Sequence, residues 1–380
     1  MPWALSMRRL PSDYNPAIDG LRAIAVVAII LFHLDARWLP GGLAGVDLFF
    51  VISGFVICRS LAAAPCPQLW PWLLDFLRRR LLRLLPLLLV VVVATFAAVS
   101  WHLPRGILDG TYENTGLAAM AGASNLVLAW SLASHLTPFA DANPFLQTWP
   151  LAVQAQFYLL LPLLIFAWLH RRPACWALPA LALASLLLAA WQTRAAPASA
   201  YYLLPARFWQ FAAGALLYQH VHRCTLTSAR RHHGWAGLAL VVAGLAMARP
   251  ATLPFPDGVI VVAGAALLLA ACTTANGAAP RLVRWLGCAP LRYLGRLAYA
   301  LYLVHWPVLV LMRGDQPLPL SALPVYVPLV LGLAMLGHHL IERPLRYGHW
   351  PWQRAPWSVF GATLAAVAVG LALIGLLDIG

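Results

Sequence analysis

The stretch from Tyr14 to His33, YNPAIDGLRAIAVVAIILFH, limits what this chain can become more than any other. It is an apolar, helix-forming run long enough to enter a bilayer, yet it carries Asp19, Arg22 and His33. An ionisable side chain in hydrocarbon costs roughly 2.5 to 3.5 kcal/mol on insertion scales, so its presence needs a reason. Helical spacing supplies one. At about 100° and 1.5 Å per residue, Arg22 and His33 differ by only about 20° of net rotation and lie roughly 16 Å apart along the axis. Asp19 sits one turn before Arg22, a spacing at which side chains meet. An acid, a guanidinium and an imidazole thus line one stripe, which belongs against protein or water rather than lipid.

The remaining sequence extends this reading to the whole chain. Hydrophobic residues make up 62% and charged residues 10% of the 380 positions, and the mean hydropathy is +0.76. Soluble domains carry about a quarter charged residues. The expected fold is therefore all-α: a polytopic transmembrane helical bundle of about 11 spans, with no sizeable soluble domain. The alternating ten-residue pattern of an outer-membrane barrel is absent. The net charge of +14 would suggest nucleic acid in a soluble protein. Here all 26 basic residues are arginine and collect in alternate loops, which sets membrane orientation instead and gives no reason to expect a nucleic-acid partner.

Spans are expected near 18–35, 43–60, 82–101, 149–169, 176–193, 205–220, 234–248, 257–273, 295–313, 321–341 and 357–377, with the segment at about 115–131 ambiguous. With the N-terminus inside and that segment not counted as a crossing, Arg8, Arg9, the Arg78 to Arg83 cluster, Arg171, Arg172 and the basic 281–296 loop all fall on the cytoplasmic side. Acidic residues such as Asp35, Asp109, Glu113, Asp141, Asp257 and Asp315 fall outside. The expected location is a bacterial-type cytoplasmic (inner) membrane, multi-pass, with the N-terminus cytoplasmic, the C-terminus outside and the first span acting as signal anchor. The six cysteines fall on the cytoplasmic side of this topology, where thiols stay reduced. No Cys or His spacing suggests a metal.

Several further motifs carry polar chemistry into apolar surroundings, each with two readings. In the second span Asp47 lies near the outer end, with Ser53 and Gly54 at mid-depth. Asp47 is either interfacial, with the small residues letting helices approach, or it faces the polar stripe of the first helix. Phe76 to Pro86, FLRRRLLRLLP, is a basic amphipathic entry to the third span. Its Arg78, Arg79, Arg80 and Arg83 suit anchoring to anionic membrane lipids, or the phosphates of a cytosolic donor. His33 is the strongest candidate general base, because neutral imidazole can take a hydroxyl proton near neutral pH. His305, with Tyr302 one turn before it, is either a second functional histidine or a buried hydrogen-bonded contact. His338, His339, Glu342 and Arg343 read as a polar cluster at a helix end.

In order along the chain, YNPAIDGLRAIAVVAIILFH, GGLAGVDLFFVISGFVI, FLRRRLLRLLP, TWPLAVQAQFYLLLP, YYLLPARFWQFAAGALL, GRLAYALYLVHWPVL and IERPLR resemble the acyltransferase-3 family of membrane O-acyltransferases, the group that includes O-antigen acetylases. The family's pattern of an arginine, ten residues and a histidine falls on Arg22 and His33. The resemblance implies transfer of an acyl group, usually acetyl, from cytosolic acyl-CoA to a hydroxyl of a glycan or glycolipid acceptor on the outer side. No cofactor is expected to be bound, acyl-CoA being a donor substrate. On this carry-over His33 is catalytic base or acyl-accepting residue, Arg22 holds the donor or stabilises charge, Asp19 orients Arg22, and the 78–83 arginines lie near the donor phosphates. Asp47, Ser53, Trp149, Gln154, Tyr158, Arg207, Tyr302 and His305 become substrate-contact candidates. The domain expectation is an acyltransferase transmembrane domain over 1–346, then a linker and last span over 347–380.

The chain departs from the family where carboxylates are expected. Its fifth block reads WPLAVQAQFY, with Pro150, Gln154 and Ala155 where a serine and two glutamates are usual, and Gln147 where a histidine often precedes. RFWQF places Gln210 at another glutamate. Only Glu113 and Glu342 are glutamates in the whole chain. An amide keeps hydrogen bonds but holds no charge and accepts no proton, so the alternative reading is a non-catalytic member acting in transport or in lipid or glycan handling. Many relatives continue into an SGNH-type hydrolase-like domain beyond the last span, whereas this sequence stops at Gly380.

Overall fold

The computed structural model describes residues 14–63, 68–102, 110–131, 142–170, 175–223, 230–273, 280–314, 316–348, 350–353 and 355–379. Arg8, Arg9, Asp109, Asp141, Arg171, Arg172 and Asp315, used above for orientation, lie outside them, as do Cys66 and Cys224. The described residues contain helices and no strand. In lipid an unsatisfied backbone group costs several kcal/mol, and a helix satisfies its own. Among the described residues eight helices are long and apolar enough to cross a membrane. All eleven expected segments are helical, but the apolar helices His233–Met247 and Asp257–Cys272 are shorter than that standard and Leu204–Arg223, though 20 residues long, is not among the eight. Length and composition therefore leave the number of crossings between these figures.

The chain divides into two compact units. The first comprises 1–66 and 159–298. It holds α1 (Pro16–Leu34) and α2 (Gly45–Ala62), preceded by a short turn at Gly42–Ala44. After α6 (Trp149–His170), which begins in the second unit, come α7 (Ala177–Ala195), α8 (Pro197–Tyr202), α9 (Leu204–Arg223), α10 (Arg230–Met247), α11 (Asp257–Cys272), α12 (Arg281–Leu286) and the start of α13 (Ala289–Arg313). Helices α2 and α9 meet backbone to backbone. A Cβ on Gly54 would lie 1.9 Å from the Phe211 carbonyl oxygen, and one on Gly214 2.0 Å from that of Val51. In lipid no hydrophobic effect drives helices together, and close packing across small residues is a main source of their association.

The second unit comprises 67–158 and 299–380. Its long helix α3 (Leu69–His102) is continuous through Pro86. Its 34 residues span about 51 Å, against a hydrocarbon core of about 30 Å. The basic entry segment is thus the first half of the spanning helix itself. The ambiguous 115–131 segment is two helices, α4 (Gly110–Met120) and α5 (Ser124–Trp130), broken at Gly122 with φ +68°. At 11 and 7 residues neither reaches across the core. The unit closes with α14 (Leu323–Leu336), a π-helical turn at Gly337–Glu342, α15 (Arg343–Tyr347) and α16 (Pro356–Ile379), which packs on α3. Tryptophans 101, 176, 191 and 235 are exposed at or beside helix ends, the place of an interfacial aromatic belt.

Candidate active site

The start of α1 is fixed by its own sequence. Asn15 caps the helix by accepting from the Ala17 amide at 3.0 Å, and its amide nitrogen donates to the Cys272 carbonyl at 2.7 Å, tying α1 to the end of α11. Pro16 takes the first helical position, where its missing N–H is no loss. Gly295 lets α13 reach α1, since a Cβ there would lie 1.8 Å from the Asp19 carbonyl oxygen.

This packing buries Asp19 at 5% exposure while Arg22 stays half-buried. Arg22 Nη1 donates to Asp19 Oδ1 at 2.9 Å, the contact expected from their spacing. The other carboxylate oxygen accepts from the Tyr14 hydroxyl at 2.6 Å, which itself accepts from Arg296 Nε and Nη2 at 3.3 and 3.1 Å. The Arg296 guanidinium also lies 5.3 Å from the centre of the Tyr14 ring. Burial and the neighbouring Asp19 carboxylate push the Tyr14 hydroxyl above its ordinary value of about 10, so it stays a donor at neutral pH. His33 lies on the same helix, half-buried, with the Phe32 ring edge-on at 5.7 Å.

Asp47 makes its hydrogen bonds with α9 and not with the first helix, the partner one reading of the sequence gave it. Its Oδ1 accepts from Arg207 Nη1 at 2.7 Å and from Gln210 Nε2 at 3.0 Å, both on α9. All three are sealed, at 1%, 1% and 0% exposure. Arg207 Nε also donates to the Tyr201 carbonyl at 2.9 Å and its guanidinium lies 4.6 Å from the Tyr201 ring centre. The amide at Gln210 has a clear physical role: a glutamate in its place would set a second carboxylate about 3 Å from Asp47 with one guanidinium between them. Ser53 is half-buried in the same helix as Asp47.

In the second unit Asp75 gathers two of the arginines on α3, accepting from Arg78 at 2.7 and 3.0 Å and pairing with Arg79. Arg78 also donates to the Gln353 carbonyl at 2.6 Å. Arg80 lies over the rings of Phe76 and Tyr158, 5.1 and 5.5 Å from their centres. The Nε–H groups of Arg80 and Arg83 are buried and have no hydrogen-bond acceptor among the described residues. Trp149 and Tyr158 are buried on α6 and Gln154 is half-buried between them. His305 is fully buried; its Nδ1 meets the backbone carbonyls of Tyr302 at 2.7 Å and Leu301 at 3.2 Å, and its ring lies 5.5 Å from that of Tyr302. Gln147 donates to the Leu303 carbonyl at 3.2 Å. On the π-helical turn His338 Nδ1 meets Glu342 Oε2 at 2.8 Å, and Arg346 approaches the other oxygen at 3.7 Å.

A family model described as an acyltransferase domain matches residues 15–375. The chain belongs to the acyltransferase-3 family of membrane O-acyltransferases. Among its relatives is BcsY of Komagataeibacter xylinus, whose name describes a membrane-bound transacylase, 32% identical over 96% of this chain and 91% of its own length. YrhL of Bacillus subtilis, whose name describes a peptidoglycan O-acetyltransferase, is 29% identical over 88% of this chain and 55% of its own. The O-acetyltransferase OatA of Staphylococcus aureus is 29% identical over 88% and 57%. The chain thus spans a little over half the length of these two O-acetyltransferases. No solved structure matches it at the level at which these relatives do.

The sequence signals named Asp19, Arg22 and His33, and the structure carries all three on α1. They did not name Tyr14 or Arg296, which are 282 residues apart. Nor did they pair Asp47 with Arg207, 160 residues away. No local periodicity reports such contacts.

Proposed function

We propose that this enzyme transfers an acyl group, acetyl in the simplest case, from acyl-CoA to a hydroxyl of a cell-envelope glycan or glycolipid. The observation that carries the donor assignment is the pair of buried, unpartnered Nε–H donors on Arg80 and Arg83. Arg79 and Arg346 add to the positive field at Arg80. A guanidinium with a buried, unused Nε–H donor suits an anion, and phosphate oxygens match its fork. The phosphates of coenzyme A fit that demand, and the arginine distribution supports their approach from the cytoplasmic side.

The chemistry falls to α1. A hydroxyl is a poor nucleophile until a base draws off its proton. His33 takes that proton as the hydroxyl oxygen attacks the acyl carbonyl carbon. The carbon–sulfur bond of the donor then breaks, and the departing thiolate takes up a proton as free coenzyme A. Arg22, held by Asp19, supplies donors to the charge that develops on the carbonyl oxygen. The glycan class follows the names of the peptidoglycan and other O-acetyltransferase relatives.

The test uses membranes containing the parent or His33→Ala, supplied with acetyl-CoA labelled in the acetyl group or with labelled free acetate. Label entering extractable glycan from acetyl-CoA alone, and lost in the variant, is the expected result. No incorporation by folded parent protein in the presence of native envelope overturns the acetyl-transfer reading. Arg80→Ala and Arg83→Ala should raise the KM for donor more than they lower kcat.

A further inference from the structure

We propose that Tyr14 and Arg296 are positioning residues of this reaction, a hydroxyl bridge that holds the Asp19 carboxylate and through it the Arg22 guanidinium. The inference rests on Arg22 acting in acyl transfer, as read above.

A guanidinium is useful to a developing oxyanion only if its orientation is fixed before the charge appears. Arg22 reaches its position on a flexible stem, and an i,i+3 contact to a freely rotating carboxylate would do little to orient it. The carboxylate is not free to rotate. One oxygen serves Arg22 at 2.9 Å, and the other is engaged by the Tyr14 hydroxyl at 2.6 Å. Turning the carboxylate about its Cβ–Cγ bond would break both contacts at once.

The hydroxyl is fixed in turn. Tyr14 donates its one proton to Asp19, so towards Arg296 it acts only as acceptor, and Arg296 fills that role with two nitrogens at 3.1 and 3.3 Å. The guanidinium's approach to the Tyr14 ring at 5.3 Å adds a second restraint on the same residue. Arg296 is carried on α13, which the Gly295 contact presses against the backbone at Asp19. The order of the chain of contacts is Arg296, Tyr14, Asp19, Arg22. It joins two guanidiniums to one carboxylate with no like charges in contact. Tyr14 is itself half in solvent, at 52% exposure, while the carboxylate it holds is buried. The bridge therefore orders a buried group from outside the core.

Tyr14→Phe removes the hydroxyl and keeps the ring. Arg296→Gln removes the charge and its fork, and Arg296→Lys keeps the charge alone. Phenylglyoxal modification of Arg22, followed by peptide mass mapping, reports the guanidinium's freedom without any turnover. Expected is severalfold faster modification of Arg22 in Tyr14→Phe and Arg296→Gln at unchanged melting temperature. Transfer assays should show kcat down about tenfold with the donor KM within about twofold. Because Arg296 acts through Tyr14, adding Arg296→Gln to Tyr14→Phe should change kcat no further. Arg22 modified at the parent rate in Tyr14→Phe overturns the proposal, as does a rise in donor KM with kcat untouched. If Arg22 loosens as expected while the parent transfers no acyl group, the bridge stands and the acyl-transfer reading falls.

Discussion

Two ion pairs in the first unit have nearly the same geometry and opposite surroundings. Asp19 and Arg22 meet at 2.9 Å with their side chains 8% and 19% exposed, while Asp47 and Arg207 meet at 2.7 Å with both at 1%. The difference separates a pair that can work from one that holds. Arg22 keeps an accessible side from which a reacting group can be reached. Arg207 is engaged by Asp47, the Tyr201 carbonyl and the Tyr201 ring, and its side chain is buried. Distance alone would rank the two pairs as equals; on the function proposed above, what sets them apart is that the Arg22 guanidinium has surface left to offer.

The largest expected effect breaks the sealed pair. Arg207→Leu leaves the Asp47 carboxylate buried without its counter-charge, a change that costs about 3 to 5 kcal/mol. Thermal denaturation in detergent should show it as a large fall in melting temperature and a loss of folded yield. The double variant Asp47→Leu with Arg207→Leu should recover most of the loss, because removing both charges also removes the desolvation cost. A double variant no more stable than the single one would mean that α2 and α9 depend on the pair for more than charge balance.

Arg22→Lys is next and should act on the other axis. Lysine keeps the charge but lacks the fork, so kcat should fall by about 10² while the melting temperature holds within about 2 °C. If Arg22→Lys instead unfolds the protein at constant specific activity, the two pairs are of one kind and the comparison fails.

Gln210→Glu sharpens the comparison inside the sealed pair. It puts a second carboxylate about 3 Å from the first with a single guanidinium to share, which should destabilise the protein by about 1 to 3 kcal/mol at pH 8. Protonating either carboxyl removes the repulsion, so stability should rise as pH falls from 8 towards 5, the reverse of an ordinary ion pair. Melting temperatures across that range check the sign. A parent-like melting curve at pH 8 would show that Gln210 is not needed as a neutral donor.

How much of this was open to a reader of the sequence depends on how far each contact reaches. The helices were legible because an apolar run in lipid has no other way to satisfy its backbone. The Asp19 and Arg22 contact was legible for the same local reason, three residues along one helix. The substitution of Gln210 for a carboxylate was visible, but not its reason, because Asp47 lies on another helix. The break at Gly122 and the π-helical turn under His338 and Glu342 shift helix direction by single residues, below what hydropathy can resolve. The length of α3 was partly hidden because four arginines interrupt its apolar pattern while leaving its helical one intact.

The smallest expected effect comes from a third pair on α1's far end, and it tests whether exposure is the right variable. Asp35 accepts three hydrogen bonds from the Arg37 side chain, between 2.7 and 3.1 Å. Those bonds hold the Asp35 carboxyl below its ordinary value. A depressed carboxyl contributes stability above the unfolded value of about 3.9 and loses it as pH falls through the folded one, so any contribution is fully present at neutral pH. Yet the Arg37 side chain is 90% exposed, where water competes for every bond and salt screens the charge. Arg37→Gln should therefore leave both the neutral-pH melting temperature and the transfer rate at parent values, although the pair it breaks is joined by three hydrogen bonds. A clear loss of either would mean that bond count, rather than access to water, ranks the ion pairs of this helix, and the division between Arg22 and Arg207 would need another cause.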